Sequence, residues 1–183
     1  MREHADTRTR IQEIALKLFT EQGYEATSLR EIAEALGVTK AALYYHFKTK
    51  DDIIASLAED RVRSIEELVT WARSQPHTDE MREELVRRYS HDLYRGRHRE
   101  VMRFFERNQT SLKNHPTMEK TRERMFELLA FLVDPEDPLS TQLRHSMALF
   151  ALHASLFMLR DDSITDEERQ AAALEVALDL ARR

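Results

Sequence analysis

Between Ser28 and Phe47 a capping residue, a short apolar helix, a glycine and a second short helix follow one another at spacings that few folds accommodate. Ser28 and Glu31 fit the S-x-x-E capping box, with Thr27 as an alternative cap. Leu29, Ile32, Ala33 and Leu36 make one apolar face, and Gly37 ends the helix after about two turns. Ala33 lies four before Gly37, where two crossing helices approach closely and a larger side chain would clash. Gly37 sits in the turn, where a positive φ is cheap only for glycine. Thr39 can cap the next helix, which runs to about Phe47. Leu43, six after Gly37, falls where that helix must meet its predecessor. A further helix over roughly 7–22 precedes them, with Ile11, Ile14, Ala15, Leu18 and Phe19 at helical spacing and Gly23 as its C-cap. Three short helices with a glycine turn between the last two form a helix-turn-helix pattern.

The remainder reads as helix throughout. The chain has 3 Gly and 4 Pro in 183 residues, too few for the tight turns of sheets, so the predicted fold class is all-α. Apolar periodicity predicts helices over 51–73, 79–94, 98–112, 117–133, 139–159 and 166–180, broken by SQPHTD, Gly96, NHP, DPEDP and RDDS. Thr165 and Glu168 offer a second capping box. The expected division is a helix-turn-helix domain over 1–50 and a helical ligand-binding and dimerisation domain over 51–183. No stretch approaches the ~18 apolar residues of a membrane span, and MREHADTRTR lacks the apolar run of a signal peptide. The expected location is the cytoplasm. With 0 Cys there are no disulfides, thiolate metal sites or cysteine nucleophile.

The stretch Thr39–Lys50, TKAALYYHFKTK, holds no acid in a chain where 33% of residues are charged. Residues 1–50 carry 8 Lys and Arg against 7 Asp and Glu, whereas 51–183 carry 20 against 26. A small basic contact on a larger acidic body points to nucleic acid. Leu43 and Phe47 share one helical face, and Lys40 and Tyr44 share another beside Ala41 and Tyr45, so the two tyrosines cannot both be buried with Leu43. Ala41 and Ala42 keep the helix slim enough for the ~12 Å major groove of B-DNA. Thr39, Lys40 and Tyr44 then reach base edges or phosphates, Tyr45 and His46 grip the sugar-phosphate backbone, and Lys48 and Lys50 supply counterion-releasing charge. Ser28 and Arg30 can bond phosphate at the start of the preceding helix. Packing of the tyrosines against the second domain is the competing reading.

The segment TSLREIAEALGVTKAALYYHFKTKDDII resembles the DNA-binding signature of the TetR family of bacterial transcriptional regulators, over about residues 8–57. Beyond it only the helical layout is similar. The resemblance implies a homodimer on a palindromic double-stranded DNA operator, usually a repressor, released by a small ligand in the second domain, and nucleoid-associated when bound. By position it implies DNA contacts from Thr27, Ser28 and Arg30, base-facing Thr39, Lys40, Ala41 and Ala42, backbone contacts from Tyr44, Tyr45 and His46, and Lys50 at the start of the connecting helix.

Two segments are candidates for self-association. The helix over 139–159 carries Met147, Phe150, Ala151, Ala154, Leu156 and Met158 and is apolar almost all round. The last helix carries Ala171, Leu174, Ala177, Leu178 and Ala181, small enough for close approach. A four-helix interface between two copies would cover both, as the family's last two helices do; the alternative is that they are core of one chain. Tyr89, Tyr94, Met102, Phe104, Phe105, Met125, Phe126 and Phe131 suit either an ordinary core or an apolar cavity for an apolar or aromatic effector, with Arg103 or Arg144 to hold an acidic group.

The eight histidines make no metal site in sequence. His145 and His153 are eight apart, about 12 Å in rise, and His91 and His98 flank Gly96 without Cys. No phosphate loop, nucleophile motif or HExxH supports an enzyme or a cofactor. A helical protein-interaction module would explain the acidic second part but not the lysine-bearing helix. Activation instead of repression stays open.

Overall fold

The computed structural model describes residues 2–95, 98–108, 116–159, 161 and 163–182. Among them the chain is all-helical, with α1 (Arg2–Gln22), α2 (Leu29–Leu36), α3 (Lys40–His46), α4 (Lys50–Arg73), α5 (Asp79–Tyr94), α6 (His98–Arg107), α7 (Pro116–Ala130), α8 (Leu139–Met158) and α9 (Asp166–Ala181). The helix predicted over 98–112 stops at Arg107, and the expected breaks at Gly96 and NHP lie wholly or partly outside the described residues. No described helix is long and apolar enough to cross a membrane.

The chain packs as two compact units, residues 1–61 with 100–118, and residues 62–99 with 119–183. α4 contributes residues to both.

The first unit is built on the face of α1 that carries Ile11, Ala15, Leu16 and Phe19, which meet Ile32 and Ala33 of α2, Leu43 and Phe47, and Ile53, Ile54 and Leu57 of α4. Phe104 and Phe105 of α6 close it, with the Phe104 ring 5.6 Å from Phe19 and 6.3 Å from Tyr24. A polar chain is sealed inside, Gln12 Nε2 donating to Ser56 Oγ at 2.8 Å and Ser56 Oγ donating on to Ile53 O at 2.8 Å. The amide, the hydroxyl and the helix carbonyl are thereby joined, which is what permits their burial.

In the second unit α8 and α9 pack on each other and on α5. Leu85, Tyr89 and Leu93 of α5 are buried with Leu149, Leu152 and Leu156 of α8 and Ala173 and Ala177 of α9. Two buried arginines tie its connections. Arg82 donates Nε to Leu132 O at 2.8 Å and Nη1 to Asp79 at 2.7 Å. Arg169 donates Nε to Leu159 O at 2.9 Å and Nη1 to Asp166 at 3.0 Å. Each guanidinium covers a carbonyl left over beyond a helix end, a role helix termini create. Thr165 and Glu168 form the capping box that opens α9.

Candidate nucleic-acid interface

The approach to α3 is set by two caps and one glycine. Ser28 opens α2: its Oγ accepts from Glu31 N at 3.2 Å, and Ser28 N donates back to Glu31 Oε2 at 2.7 Å. That choice places Thr27 underneath. Thr27 is 1% exposed and donates its hydroxyl to Gly23 O at 2.8 Å, so it presents no surface to DNA and holds the α1–α2 turn instead. Gly37 ends α2 at φ 72°, and Val38 N donates to Ala33 O at 3.0 Å across it. Thr39 then caps α3 by accepting from Ala42 N at 3.2 Å.

Rotation of α3 about its axis is fixed by Leu43 and Phe47, 0% and 2% exposed. This settles the two tyrosines. Tyr44 is half-buried against the first unit's core, and Tyr45 is 70% exposed. Thr39, Lys40, Ala41, Ala42 and Lys48 are exposed on the same short segment, and His46 is half-buried with its ring 5.2 Å from that of Tyr45. Lys40 Nζ stands 5.3 Å from the Tyr44 ring, which braces the ammonium and leaves it unpaired with acid. Neither Lys40 nor Lys48 has a carboxylate partner among the described residues. At seven residues, α3 is roughly 10 Å long, matched to the ~12 Å major groove.

The other expected contacts are more committed. Arg30 is exposed but its Nε pairs with Glu34 at 2.7 Å, an exposed bond that a phosphate can replace at little cost. Ser28 is exposed beside Glu31, whose carboxyl is held below the usual carboxylate range by the Ser28 hydroxyl and amide. Lys50 is only half-exposed. Its Nζ donates to Tyr24 O at 2.6 Å and Glu25 O at 3.2 Å and lies 4.6 Å over the Tyr24 ring. The Tyr24 hydroxyl in turn bonds Asp51, and burial together with that carboxylate raises the phenol well above its ordinary value. Lys50 therefore fastens the start of α4 to the α1–α2 turn.

Sequence reasoning missed this latch and the cap beside it. Asp52 Oδ2 accepts from Lys48 N at 2.9 Å and Thr49 N at 2.8 Å, while Asp52 N donates to Thr49 Oγ1 at 3.0 Å. The T-x-x-D spacing was legible as a capping box; the long-range contact of Tyr24 with Asp51 had no local signal.

The residues expected to line an effector cavity are dispersed. Met102 and Phe105 belong to the first unit, with Phe105 in its core. Tyr89 and Tyr94 belong to the second, where Tyr89 Oη meets His153 Nε2 at 2.6 Å and Tyr94 Oη meets Ser155 Oγ. Met125 is half-buried, Phe126 is 65% exposed, and Arg144 is exposed with Nη1 donating to Arg182 O at 3.2 Å. The Arg103 side chain lies outside the described residues. An open groove of about 370 Å³ between α4 and α5 is lined by Arg87, Arg88, His91 and Arg95 and shares none of the expected residues.

The residues expected to mediate self-association divide as well. Met147, Phe150 and Met158 are exposed, and Ala151, Ala154 and Leu174 are half-buried. Ala177, Leu178 and Ala181 are covered by the second unit's own packing, because that side of α9 faces α5 and α8. Leu139, Leu143 and Val176 are exposed apolar residues that the sequence reading passed over. Among the described residues no group of three or more His, Cys, Asp or Glu is placed to hold a metal ion.

Residues 11–57 match the sequence profile of the family described as bacterial regulatory proteins, tetR family. The HTH-type transcriptional regulator AcrR of Shigella flexneri is 47% identical over 66 residues, 36% of this chain and 31% of that protein. The HTH-type transcriptional regulator SAUSA300_2515 of Staphylococcus aureus is 50% identical over 48 residues, 26% of each. The chain thus spans about a third or less of the curated relatives it matches, and the profile match over 11–57 contains α2, α3 and their caps. Similarity to solved structures extends further. The TetR family transcriptional regulator PfmR from Thermus thermophilus is 26% identical with a TM-score of 0.69, covering 93% of this chain and 97% of that one. The ketosteroid transcriptional regulator KstR2 of Mycobacterium tuberculosis, at 17% identity and a TM-score of 0.71 over 94% and 93%, shares the fold. A profile match centred on the helix-turn-helix, joined to structural likeness along nearly the whole chain, gives this protein a tetR-type helix-turn-helix region on a fold shared with TetR family regulators.

Proposed function

We propose that this chain is a DNA-binding transcriptional regulator that grips a palindromic operator as a homodimer and represses until a small effector releases it. The observation that carries the reading is the surface of α3: Lys40 and Lys48 without carboxylate partners among the described residues, an outward Tyr45, and two alanines that keep the helix slim. Thr39, Lys40, Ala41 and Ala42 meet base edges; Tyr44, Tyr45, His46 and Lys48 meet the backbone. Ser28 and Arg30 add phosphate contacts once Glu31 and Glu34 yield. Lys50 contributes charge from its latch, and Thr27 acts only through the turn it holds.

Pairing is supported by α8. Leu139, Leu143, Met147, Phe150, Ala154 and Met158 recur at steps of three and four along one side, and Leu139 and Met158 are 82% and 79% exposed. A contiguous apolar stripe of that length is rare on a monomer's surface. A second copy, meeting it across a two-fold axis, covers it and sets two recognition helices on successive major grooves. The functional division we propose is residues 1–50 for DNA and 51–183 for effector and pairing. An apolar or aromatic effector would meet Tyr89, Tyr94 and the residues around them, whose hydroxyls are already paired with His153 and Ser155 and can orient a polar end. Its binding would tilt α4 and draw the two recognition helices out of register. The protein acts in the cytoplasm, on the nucleoid while bound.

The test is a titration of purified protein against DNA fragments flanking its own gene, at two salt concentrations. Tight, salt-sensitive binding to one palindromic fragment is expected. Equal, salt-insensitive affinity for every fragment would sink the reading.

A further inference from the structure

We propose that Arg8 of α1 is an additional contact to the DNA backbone, held in place by the aromatic ring at the end of α3. This rests on the DNA-binding reading above. The Arg8 guanidinium lies 4.9 Å from the centroid of the Phe47 ring. Phe47 is 2% exposed and caps α3, between His46 and Lys48. Arg8 itself is exposed. An arginine stacked on a ring keeps its N–H edge directed outward, because the ring occupies a face of the guanidinium and no donor.

The surface cations of this chain are commonly paired within their own helix: Lys17 with Glu21, Arg30 with Glu34, Arg87 with Glu83 and Arg88 with Glu84. Arg8 has no such neighbour. The positions three and four away are His4, Ala5, Ile11 and Gln12, and no carboxylate pairs with it among the described residues. Lys40 likewise has no acid three or four positions away and no carboxylate partner among the described residues; Lys48 has Asp51 and Asp52 at those positions, and Asp52 accepts from its backbone amide, but neither pairs with its ammonium. Three cations left without acid therefore converge on α3 from two helices, Lys40 at its start, Lys48 just past its end and Arg8 over its capping ring. A duplex carries one phosphate charge per ~1.7 Å of axis, so a guanidinium over Phe47, the residue between His46 and Lys48 in the chain, meets a phosphate when α3 enters the groove. The ring holds the guanidinium there before binding, which lowers the ordering cost of the contact.

The experiment uses the full chain and a fluorescein-labelled mixed-sequence duplex, with affinity followed by anisotropy across a salt series. Phosphate contacts dominate binding to such a probe. Arg8→Ala should weaken binding severalfold and flatten the slope of log affinity against log salt by about 0.9, the contribution of one phosphate contact. Arg8→Lys should keep the slope, since the charge remains. Lys48→Ala is the reference for a backbone contact of α3 itself. A flattened slope for Lys48→Ala with an unchanged slope for Arg8→Ala overturns the proposal and leaves the DNA-binding reading intact. A lower melting temperature for Arg8→Ala with its slope intact also overturns it, since Arg8 then only packs on Phe47. If the unaltered chain binds the duplex with no salt dependence, the DNA-binding reading fails and Arg8 with it.

Discussion

Tyr44 and Tyr45 are chemically identical neighbours with different work, and burial separates them. Tyr45 at 70% exposure adds little to the fold, while Tyr44 packs on the core. Tyr45→Ala is expected to weaken DNA binding and leave the melting temperature where it was. Tyr44→Ala is expected to lower both, with a stability loss of about 1–2 kcal/mol for a half-buried ring. Equal loss of stability in the two variants would return both tyrosines to a packing role. His145 is the other residue whose setting sequence could not show. It is 0% exposed, and neither ring nitrogen has a hydrogen-bond partner among the described residues; Asp137 Oδ2 is 4.0 Å away. Burial depresses its pKa below the ordinary 6.5, with the Arg82 and Arg144 charges acting in the same direction and Asp137 and Asp79 opposing them. A base with a depressed folded pKa is neutral in both states at neutral pH. As pH falls through 6.5 the unfolded chain takes the proton first, so stability is present above that value and is lost on acidification. Melts between pH 7.5 and 5.5 should show a drop that His145→Leu flattens. Spacing in the sequence shows only that His145 and His153 are eight apart; the setting of His145 depends on Asp137, just ahead of α8, and on Arg82, remote in sequence.

At the scale of elements, local chemistry was legible and long-range chemistry was not. Ser28 with Glu31, Thr39, Thr78 and Thr165 with Glu168 all cap where side-chain spacing places them. Gly37 ends α2 in the left-handed region, and a Cβ there would meet nothing within 4 Å. The cost of Gly37→Ala is therefore conformational, on the order of 1 kcal/mol, and Gly37→Asn should cost less because Asn tolerates that region. Denaturant unfolding distinguishes them; equal losses would mean the turn itself rearranges. The start of α4 was less legible. The acid-free run through Lys50 reads as a single DNA-facing segment, yet Tyr24, Lys50 and Asp51 bind the helix start to a turn some 25 residues earlier. If α4 carries effector binding to α3, the join must be stiff. Two glycines inserted after Lys50 should then abolish the response of DNA affinity to effector. An unchanged response would remove α4 as the carrier.

For the whole molecule, the question is what covers α8. Its even coating of apolar residues predicts neighbours on every side, and the structure supplies them on one: Leu149, Leu152 and Leu156 are buried while Leu143, Met147 and Phe150 face outward. Sequence could not divide the coat, because Ala177 and Leu178 of α9 are as small and apolar as an interface residue would be, and only packing shows that they serve the unit's own core. The division makes pairing separable from folding. Phe150 is 55% exposed, so Phe150→Glu removes little from one chain's core but sets two carboxylates into the contact between copies. If the proposed pairing holds, sedimentation should report a dimer for the unaltered chain and a folded monomer for Phe150→Glu at the same concentration. Losing the pair makes each half-site an independent binding event, so affinity for the full operator should fall by about a hundredfold or more, while affinity for a single half-site fragment stays the same. A Phe150→Glu chain that remains dimeric would move the interface off this stripe. One that is monomeric yet binds the full site as before would show that the two recognition helices act without being joined, and the palindromic operator would lose its structural basis.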